Sequence, residues 1–211
     1  MIRAKELGGR AVVDVDAAEK LGRIDRVVLD PDGRRVAGFV VGRGSSIFNN
    51  DKDMVLLASC VHAVGPDAVT VHRGAAFEAD SSLDDLPRVS DITGRKVVSD
   101  QGRLMGTVDD VLIDETDGRI LGYALDDTGV IDKLRHPADA EGKHRGVFLR
   151  ADANLRAGKD LIVAPEDAVS HDWDTLGTPQ ALAADAPRGW TSTPAGATAL
   201  PDTQWIRTEG N

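Results

Sequence analysis

The stretch at residues 104–125, LMGTVDDVLIDETDGRILGYAL, restates the plan of an earlier stretch at residues 21–41, LGRIDRVVLDPDGRRVAGFVV. Glycine, aspartate and aliphatic residues recur in one register, 84 positions further along the chain. The matched pairs are Gly22 with Gly106, Asp30 with Asp114, Gly38 with Gly122, Ile24 with Val108, Val27 with Val111, Val28 with Leu112, and Leu29 with Ile113. So many matches in one register indicate an internal repeat, so we expect the chain to build one structural unit twice.

Each copy has the pattern of two strands joined by a tight turn. Valine, isoleucine and leucine cluster on both sides of a polar turn, DPDG at residues 30–33 and DETDG at residues 114–118. Aspartate bonds its own local backbone and glycine accepts a positive φ, which suits both residue types to turns. The predicted turn residues are Asp30, Gly33, Asp114 and Gly118. Glycines are also expected where bent strands need a missing side chain. These strand glycines are Gly22, Gly38, Gly106 and Gly122.

The apolar pattern of the two strands predicts irregular strand pairing and the burial of both faces of the second strand. Alternation breaks at residues 25–26 and again at 109–110, which predicts a bulge or bend there. The second strand of each hairpin, at residues 36–41 and 120–125, is apolar on both faces. Since a strand with one face in solvent should alternate apolar and polar residues, both faces of these strands must be buried, and we expect the two units to pack against each other within the chain. Cover from the C-terminal tail or from a second molecule in a homodimer is the alternative.

Composition excludes several classes of protein. The 211 residues are 41% hydrophobic and 28% charged, as in ordinary soluble proteins. The net charge of −10 is spread evenly without a basic block, which argues against direct contact with nucleic acid. The single cysteine, Cys60, excludes an internal disulfide framework. No apolar run is long enough for a transmembrane segment or a signal core, so a cytoplasmic protein is expected.

These patterns predict a mostly β protein that builds one hairpin-based unit twice and ends in a flexible tail. The predicted boundaries are 1–73 for the first unit, 74–90 for a linker, 91–171 for the second unit and 172–211 for the tail. A single helical turn is expected at residues 60–64. The tail is rich in proline, alanine and threonine, and we expect it to be disordered and dispensable for folding. Its Trp190 and Trp205 are candidate anchors for a partner, with a tail folded back on its own barrel as the alternative.

The sequence resembles the PRC-barrel domain family. The resemblance rests on G-R-x-V-V, then G-x-[IV]-x-x-V-[VL]-[LI]-D, then a turn with glycine and a hydrophobic strand containing glycine, over residues 6–73 and 91–171. The family includes the cytoplasmic domain of the photosynthetic reaction-centre H subunit and the C-terminal half of RimM-type ribosome-maturation factors. The resemblance implies two small, strongly bent β-barrels in tandem that act as adaptor or assembly surfaces, without catalytic residues. The transmembrane helix of the H subunit and the N-terminal domain of the ribosome factors have no counterpart here.

No residue pattern indicates an active site or a metal centre. The acidic turn at residues 114–118 lacks the alternating spacing of an EF-hand loop, so a plain turn is favoured over a calcium site. The histidines show no H-x-x-x-H spacing, and Cys60 lies among apolar residues, which favours a buried, inert thiol. We therefore predict no catalytic, cofactor-binding or metal-binding residues.

The sequence favours a non-enzymatic cytoplasmic adaptor or scaffold that binds an unidentified protein through its PRC-like barrels. The alternative is a ribosome or RNA-processing assembly factor that acts through a ribosomal protein, since an acidic chain permits contact with a basic protein.

Overall fold

A computed structural model describes the protein as two β-sheets joined along their hairpins. It describes residues 1–42, 54–74, 83, 85–126, 147–158, 160–171 and 190, together with the backbone of 77–79. The mostly β fold predicted from the sequence is confirmed. No helix in this part of the chain is long and apolar enough to span a bilayer.

The first sheet contains seven strands and the second contains eight. The strands of the first sheet are β2 (Ala11–Asp14), β3 (Glu19–Leu29), β4 (Val36–Gly42), β5 (Met54–Leu57), β6 (Val61–Val64), β7 (Ala68–Val71) and β8 (Phe77–Ala79). The strands of the second sheet are β1 (Ile2–Arg3), β9 (Lys96–Ser99), β10 (Leu104–Ile113), β11 (Ile120–Asp126), β12 (Val147–Arg150), β13 (Arg156–Ala157), β14 (Leu161–Ala164) and β15 (Val169–Ser170). The helical segments are α1 (Ala4–Leu7), α2 (Val89–Ile92) and two 3-10 turns, Ala58–Cys60 and Glu166–Ala168.

The two sheets have the same topology. The strand order is β6-β7-β2-β3-β4-β5-β8 in the first and β13-β14-β9-β10-β11-β12-β15 in the second. Each contains one parallel pair, β2 with β7 or β9 with β14, and the other pairs are antiparallel. Among the described strands, the two ends of each path do not pair with each other, so neither sheet is closed by hydrogen bonds. The repeat in the sequence therefore specifies the strand order.

Both hairpins bend at the positions where the sequence pattern breaks. In β3 the register shifts between Ile24 and Arg26, which leaves Asp25 as the extra residue. In β10 the equivalent shift lies between Val108 and Asp110. The predicted bulges are therefore confirmed, and a bulge strengthens the local twist and bends the strand.

Both faces of the second hairpin strands are buried, as their composition requires. Phe39 and Val41 of β4 lie in one continuous core with Tyr123 and Leu125 of β11. The other faces form two smaller clusters, one around Val40 and one around Phe148. Each hairpin therefore needs its second face to be covered by residues from outside its own copy of the repeat.

Two short segments supply that cover, and each lies on the other copy. We call residues 1–7 the first arm. It belongs to the first copy by sequence, but β1 pairs with β10, with Arg3 opposite Leu112. Met1 packs against the cluster of Leu112, Ala124 and Phe148. The first arm thus extends the second sheet and covers its outer hairpin face.

The second arm, residues 83 and 85–92, makes the reciprocal contact. Arg88 forms a β-bridge with Val28, and the amide of Leu29 donates to the carbonyl of Pro87 at 2.8 Å. Leu83 and Leu86 pack on the cluster of Val28, Val40 and Val55. Arg88 and Val28 correspond in the repeat to Arg3 and Leu112. The two copies therefore exchange equivalent arms.

Two local predictions need correction. The helical turn expected at residues 60–64 is instead a 3-10 turn at Ala58–Cys60 followed by β6, because residues 61–64 pair with β7. Part of the region predicted as a linker, residues 74–90, belongs to the first sheet. β8 pairs with β5, and Leu83 lies in a hydrophobic cluster. These short elements lack a long apolar period, so tertiary contacts determine them rather than local pattern.

Gly38 offers a test of the close approach between β4 and β5. A Cβ atom at this position would lie 2.7 Å from the backbone oxygen of Leu56 and 3.0 Å from Leu83 Cδ1. We expect Gly38→Ala to lower the free energy of unfolding by about 1–3 kcal/mol, because the backbone must shift to admit the methyl group. Urea denaturation measures this loss. The control is Gly8→Ala, where the nearest atom to the added Cβ lies at an ordinary 3.4 Å. Equal stability of the two variants would show that the strands move apart without cost.

Candidate functional site

The two copies meet where their hairpin turns lie side by side. Arg35 and Arg119 form an antiparallel bridge. The amide of Val36 donates to the carbonyl of Gly118 at 2.9 Å, and the amide of Ile120 donates to that of Arg34 at 2.8 Å. Arg35 and Arg119 are equivalent in the repeat, so a pseudo-twofold axis passes between them. We call this contact the junction.

Aspartates hold the two turns that form the junction. Asp30 Oδ1 accepts the amides of Arg34 at 2.7 Å and Arg35 at 3.2 Å. Asp114 Oδ1 accepts the amide of Thr116 at 2.9 Å and its hydroxyl at 2.6 Å. Both carboxylates therefore act on their own turns, as aspartate does in an Asx-turn.

The electrostatics of the two turns differ. Burial raises the pKa of Asp30, although the Arg35 and Arg34 amides oppose the shift. Burial also acts on Asp114, but there the Thr116 hydrogen bonds and the Arg119 charge outweigh it, and the pKa is lowered. Burial raises the pKa of Tyr123, and the charge of Asp30 from the other copy adds to that increase. The junction is thus a partly desolvated contact between the copies.

Arginine side chains tie the turns together. The Arg35 guanidinium donates to the carbonyl of Asp117 across the junction at 2.7 Å. Arg119 Nε forms an ion pair with Asp117 Oδ2 at 2.5 Å. The angle between the two groups is too poor for a hydrogen bond. These arginines satisfy carbonyl and carboxylate groups at the junction, and their role here is structural.

Trp190 lies on the junction. Its indole is 5% exposed and packs 5.7 Å from the Phe39 ring between centroids. Its Nε1 donates to the carbonyl of Glu115 at 3.0 Å. A Cβ on Gly118, which has a φ of 72°, would lie 2.6 Å from Trp190 Cε3. Gly118 therefore serves two purposes, since it permits the turn and leaves room for the indole.

Asp110 lies at the contact between the first arm and β10. Its side chain is fully buried, and Oδ1 accepts the amides of Lys5 at 3.2 Å and Val111 at 2.8 Å. Oδ2 is buried without a hydrogen-bond partner among the described residues. Burial raises the pKa of Asp110, and the two amides and the nearby charges of Lys5 and Arg3 only partly offset that effect.

The outer sheet faces of the two copies carry different side chains on the same framework. In the second copy, four cross-strand partners form a row that we call the second outer row. These residues are Arg156, Val163, Val98 and Leu104. The equivalent partners in the first copy form the first outer row. They are Ala63, Thr70, Val13 and Lys20.

The difference between the rows is concentrated at their ends. Leu104 is 54% exposed, whereas its repeat counterpart Lys20 is an exposed cation. Beside the second outer row, Leu161 is 37% exposed and pairs with Lys96, which is also exposed. The counterpart of Leu161 in the strand register is the smaller Ala68. At these two positions the second copy therefore presents larger exposed apolar side chains than the first.

A comparison with protein families decides what kind of unit is repeated. The model of the PRC-barrel domain matches the chain twice, over residues 1–71 and 84–170. The chain belongs to the PRC-barrel family. The predicted resemblance and the tandem arrangement are thereby confirmed. A comparison with curated proteins finds no match.

The family boundaries clarify the exchange of arms between the two PRC barrels. The second match begins at residue 84, so Arg88 belongs by family to the second PRC barrel. Nevertheless Arg88 pairs with Val28 of the first barrel. Arg3 belongs to the first PRC barrel and pairs with Leu112 of the second. Each PRC barrel is therefore completed by the leading segment of the other.

The candidate partner-binding tryptophans have different outcomes. Trp190 is buried against its own protein, which is the alternative considered from the sequence, and its indole is not available as an exposed anchor. Trp205 lies outside the described residues, as does most of the predicted tail. The sequence analysis did not find the junction arginines or Leu104. A position-by-position alignment of the two copies, in which Lys20 is equivalent to Leu104, would have identified Leu104.

The remaining polar candidates form no recognisable reaction centre in the described part of the chain. His62 and His72 have ring centroids 4.3 Å apart, and His72 Nδ1 lies 3.2 Å from Asp16 Oδ2. No group of three or more potential metal ligands occurs among the described residues. Cys60 is half-buried, and His136 and His144 lie outside the described residues.

The burial of Trp190 predicts that the tail contributes to the stability of the fold. We expect Trp190→Ala to lower the free energy of unfolding by about 3–5 kcal/mol, the usual loss for a buried tryptophan. Truncation after residue 171 should produce a similar loss, which replaces the expectation that the tail is dispensable. Trp190→Phe is the control, since it keeps the ring contact and loses one hydrogen bond worth about 1 kcal/mol. Thermal unfolding measures all three, and an unchanged melting temperature after truncation would contradict the packing.

Asp110 predicts a dependence of stability on pH. Its pKa in the folded protein is raised above the unfolded value of about 3.9. The folded state therefore binds this proton more tightly, and the protein loses stability as pH rises through the folded-state pKa. Asp110→Asn keeps the acceptor oxygen and removes the buried charge. We expect the variant to gain stability over the wild type as pH rises from about 3 to neutrality, as measured by urea denaturation.

The adjacent Asp109 is the matched control for Asp110→Asn. Its side chain is 41% exposed, and its carboxylate lies 2.5 Å from Lys5 Nζ and 3.8 Å from Arg3 Nη1. Asp109→Asn removes these two surface ion pairs and should cost at most about 1 kcal/mol at neutral pH. A loss of stability at neutral pH for Asp110→Asn would show that the Asp110 charge is stabilised rather than penalised.

Proposed function

We propose that this tandem PRC-barrel protein is a non-enzymatic cytoplasmic scaffold that binds a protein partner. The divergence of its two outer rows is the observation that carries the proposal. The framework is the same in both copies, down to strand order and bulges. A change of surface on a conserved framework alters what the protein contacts rather than how it folds.

The placement of the buried polar groups supports a scaffold. Asp30 and Tyr123 have raised pKa values, but both lie at the junction, and Asp110 lies under the first arm. Perturbed carboxyl groups often mark reaction centres, yet structural networks perturb pKa values as well. The carboxylates of Asp30 and Asp110 accept hydrogen bonds from backbone amides of a turn and of the first arm, which accounts for their burial without a substrate.

The junction and the arms support the same proposal mechanically. Two barrels that share a core and exchange arms hold their outer faces in one fixed relation. A fixed relation between two surfaces reduces the conformational entropy that binding would otherwise have to overcome.

Capture from native lysate of the source cells tests the proposed function. Tagged full-length protein, cross-linked before elution, should retain one or a few proteins in stoichiometric amounts. The cross-links should map to the outer faces of the barrels. Recovery of nucleic acid or a small molecule without protein, or turnover of a substrate by the purified protein, would contradict the proposal.

A co-sedimentation experiment distinguishes the alternative of ribosome assembly. Co-sedimentation with ribosomal subunits that is lost at high salt would indicate an acidic surface bound to a basic ribosomal protein. The absence of co-sedimentation, together with a captured non-ribosomal protein, would favour the scaffold.

A further inference from the structure

The outer face of the second barrel has a composition that folding does not demand. Val163, Val98 and Leu104 are direct cross-strand neighbours on this face. Thr70, Val13 and Lys20 occupy the equivalent positions of the first barrel in the same register. Because a lysine is accommodated where Leu104 stands, the exposed leucine is not required by the fold.

Positive charges border this apolar surface. Lys96 lies beside Leu161 in the parallel pair of β9 and β14, and Arg156 ends the second outer row opposite Val163. Neither cation forms an ion pair within the described part of the chain, whereas the neighbouring Arg103 pairs with Glu166 at 2.5 Å. Lys96 and Arg156 therefore place positive charge beside the exposed leucines, opposite in sign to the net charge of −10.

We propose that this face of the second barrel docks a short segment of a partner protein that carries large apolar side chains flanked by aspartate or glutamate. The proposal rests on the proposed scaffold function and names its surface. Leu104, Val98, Val163 and Leu161 would contact the apolar side chains. Lys96 and Arg156 would pair with the flanking carboxylates, which favours this class of partner over basic ones.

The dimensions of the face fit a short segment. The second outer row crosses four strands, which spans roughly 14 Å at the usual spacing between strands. That distance matches two or three alternate side chains of an extended segment, or two successive turns of a helix. A small, partly apolar interface of this size is typical of transient binding.

Two other occupants fit the face less well. Nucleic acid binding without sequence preference uses aromatic side chains for stacking along a basic groove. None of the described residues assigned to this face is aromatic; they are Leu104, Val98, Val163, Leu161, Lys96 and Arg156. A second copy of the chain would bring together two molecules that each carry −10, and the same cations would meet across a twofold contact.

A selection from a phage-displayed library of random 16-residue peptides tests the proposal. The full-length protein serves as bait. Enriched peptides should combine leucine, isoleucine or phenylalanine with aspartate or glutamate. Enrichment of basic peptides, or no enrichment over an empty support, would overturn the proposal.

Leu104→Lys is the decisive variant, because it installs the side chain that the first barrel carries at the equivalent position. It should leave the melting temperature close to that of the wild type and weaken binding of the selected peptides by roughly tenfold or more. Lys96→Glu should weaken binding of the same peptides, and the difference in affinity from the wild type should diminish at high salt. Val15→Lys is the matched control, since Val15 is 42% exposed but lies on the first barrel. It should leave binding unchanged.

The outcomes separate this inference from the proposed function. A cellular partner captured equally by the wild type and by Leu104→Lys would show that this face is not the docking surface, but it would leave the scaffold function intact. Capture of no partner by either protein would overturn the function itself. A wild-type dimer in analytical ultracentrifugation that Leu104→Lys converts to monomer would identify a second copy as the occupant and contradict the proposal.

Discussion

The need to bury both faces of β4 and β11 governs this structure. A strand in a small barrel has one face in the interior, and water would meet the other. Val36 and Phe39 place their face in a core shared by the two barrels, while Val40 turns toward the opposite side and requires separate cover. The junction buries the face that carries Phe39, and the exchanged arms bury the face that carries Val40. The pairing of the barrels is thus a consequence of the apolar composition of two strands.

The arms also connect folding to function. An arm of a few residues has little stability alone, so β1 and the segment before α2 are ordered by the sheet they join. Each arm reaches the other barrel, and neither barrel can bury its hairpin fully without its neighbour. This dependence leaves the outer rows as the surfaces on which side chains can change without loss of the framework. The difference between Lys20 and Leu104 arises there.

Local pattern predicted the hairpins well and the tertiary exchanges poorly. The bulges at Asp25 and Asp109 follow from a break in period two, which is a local signal. The first arm gave no such signal, because a two-residue strand has no period. The burial of Trp190 depends on the space above Gly118, and that space exists only after two distant turns meet. The divergent outer rows were readable in principle, but only once the register had shown which residues are equivalent.

In this account, the junction and the arms hold the two PRC barrels together as one cooperative unit. Native-state hydrogen exchange of the amides of Val36, Ile120 and Leu29 is a test of that cooperativity, because each amide donates to the other copy or to the exchanged arm. If the claim is correct, these amides exchange only through global unfolding, with the same opening free energy as the slowest amides in β3 and β10. Exchange through a separate opening of much lower free energy, while both hairpins stay protected, would contradict it.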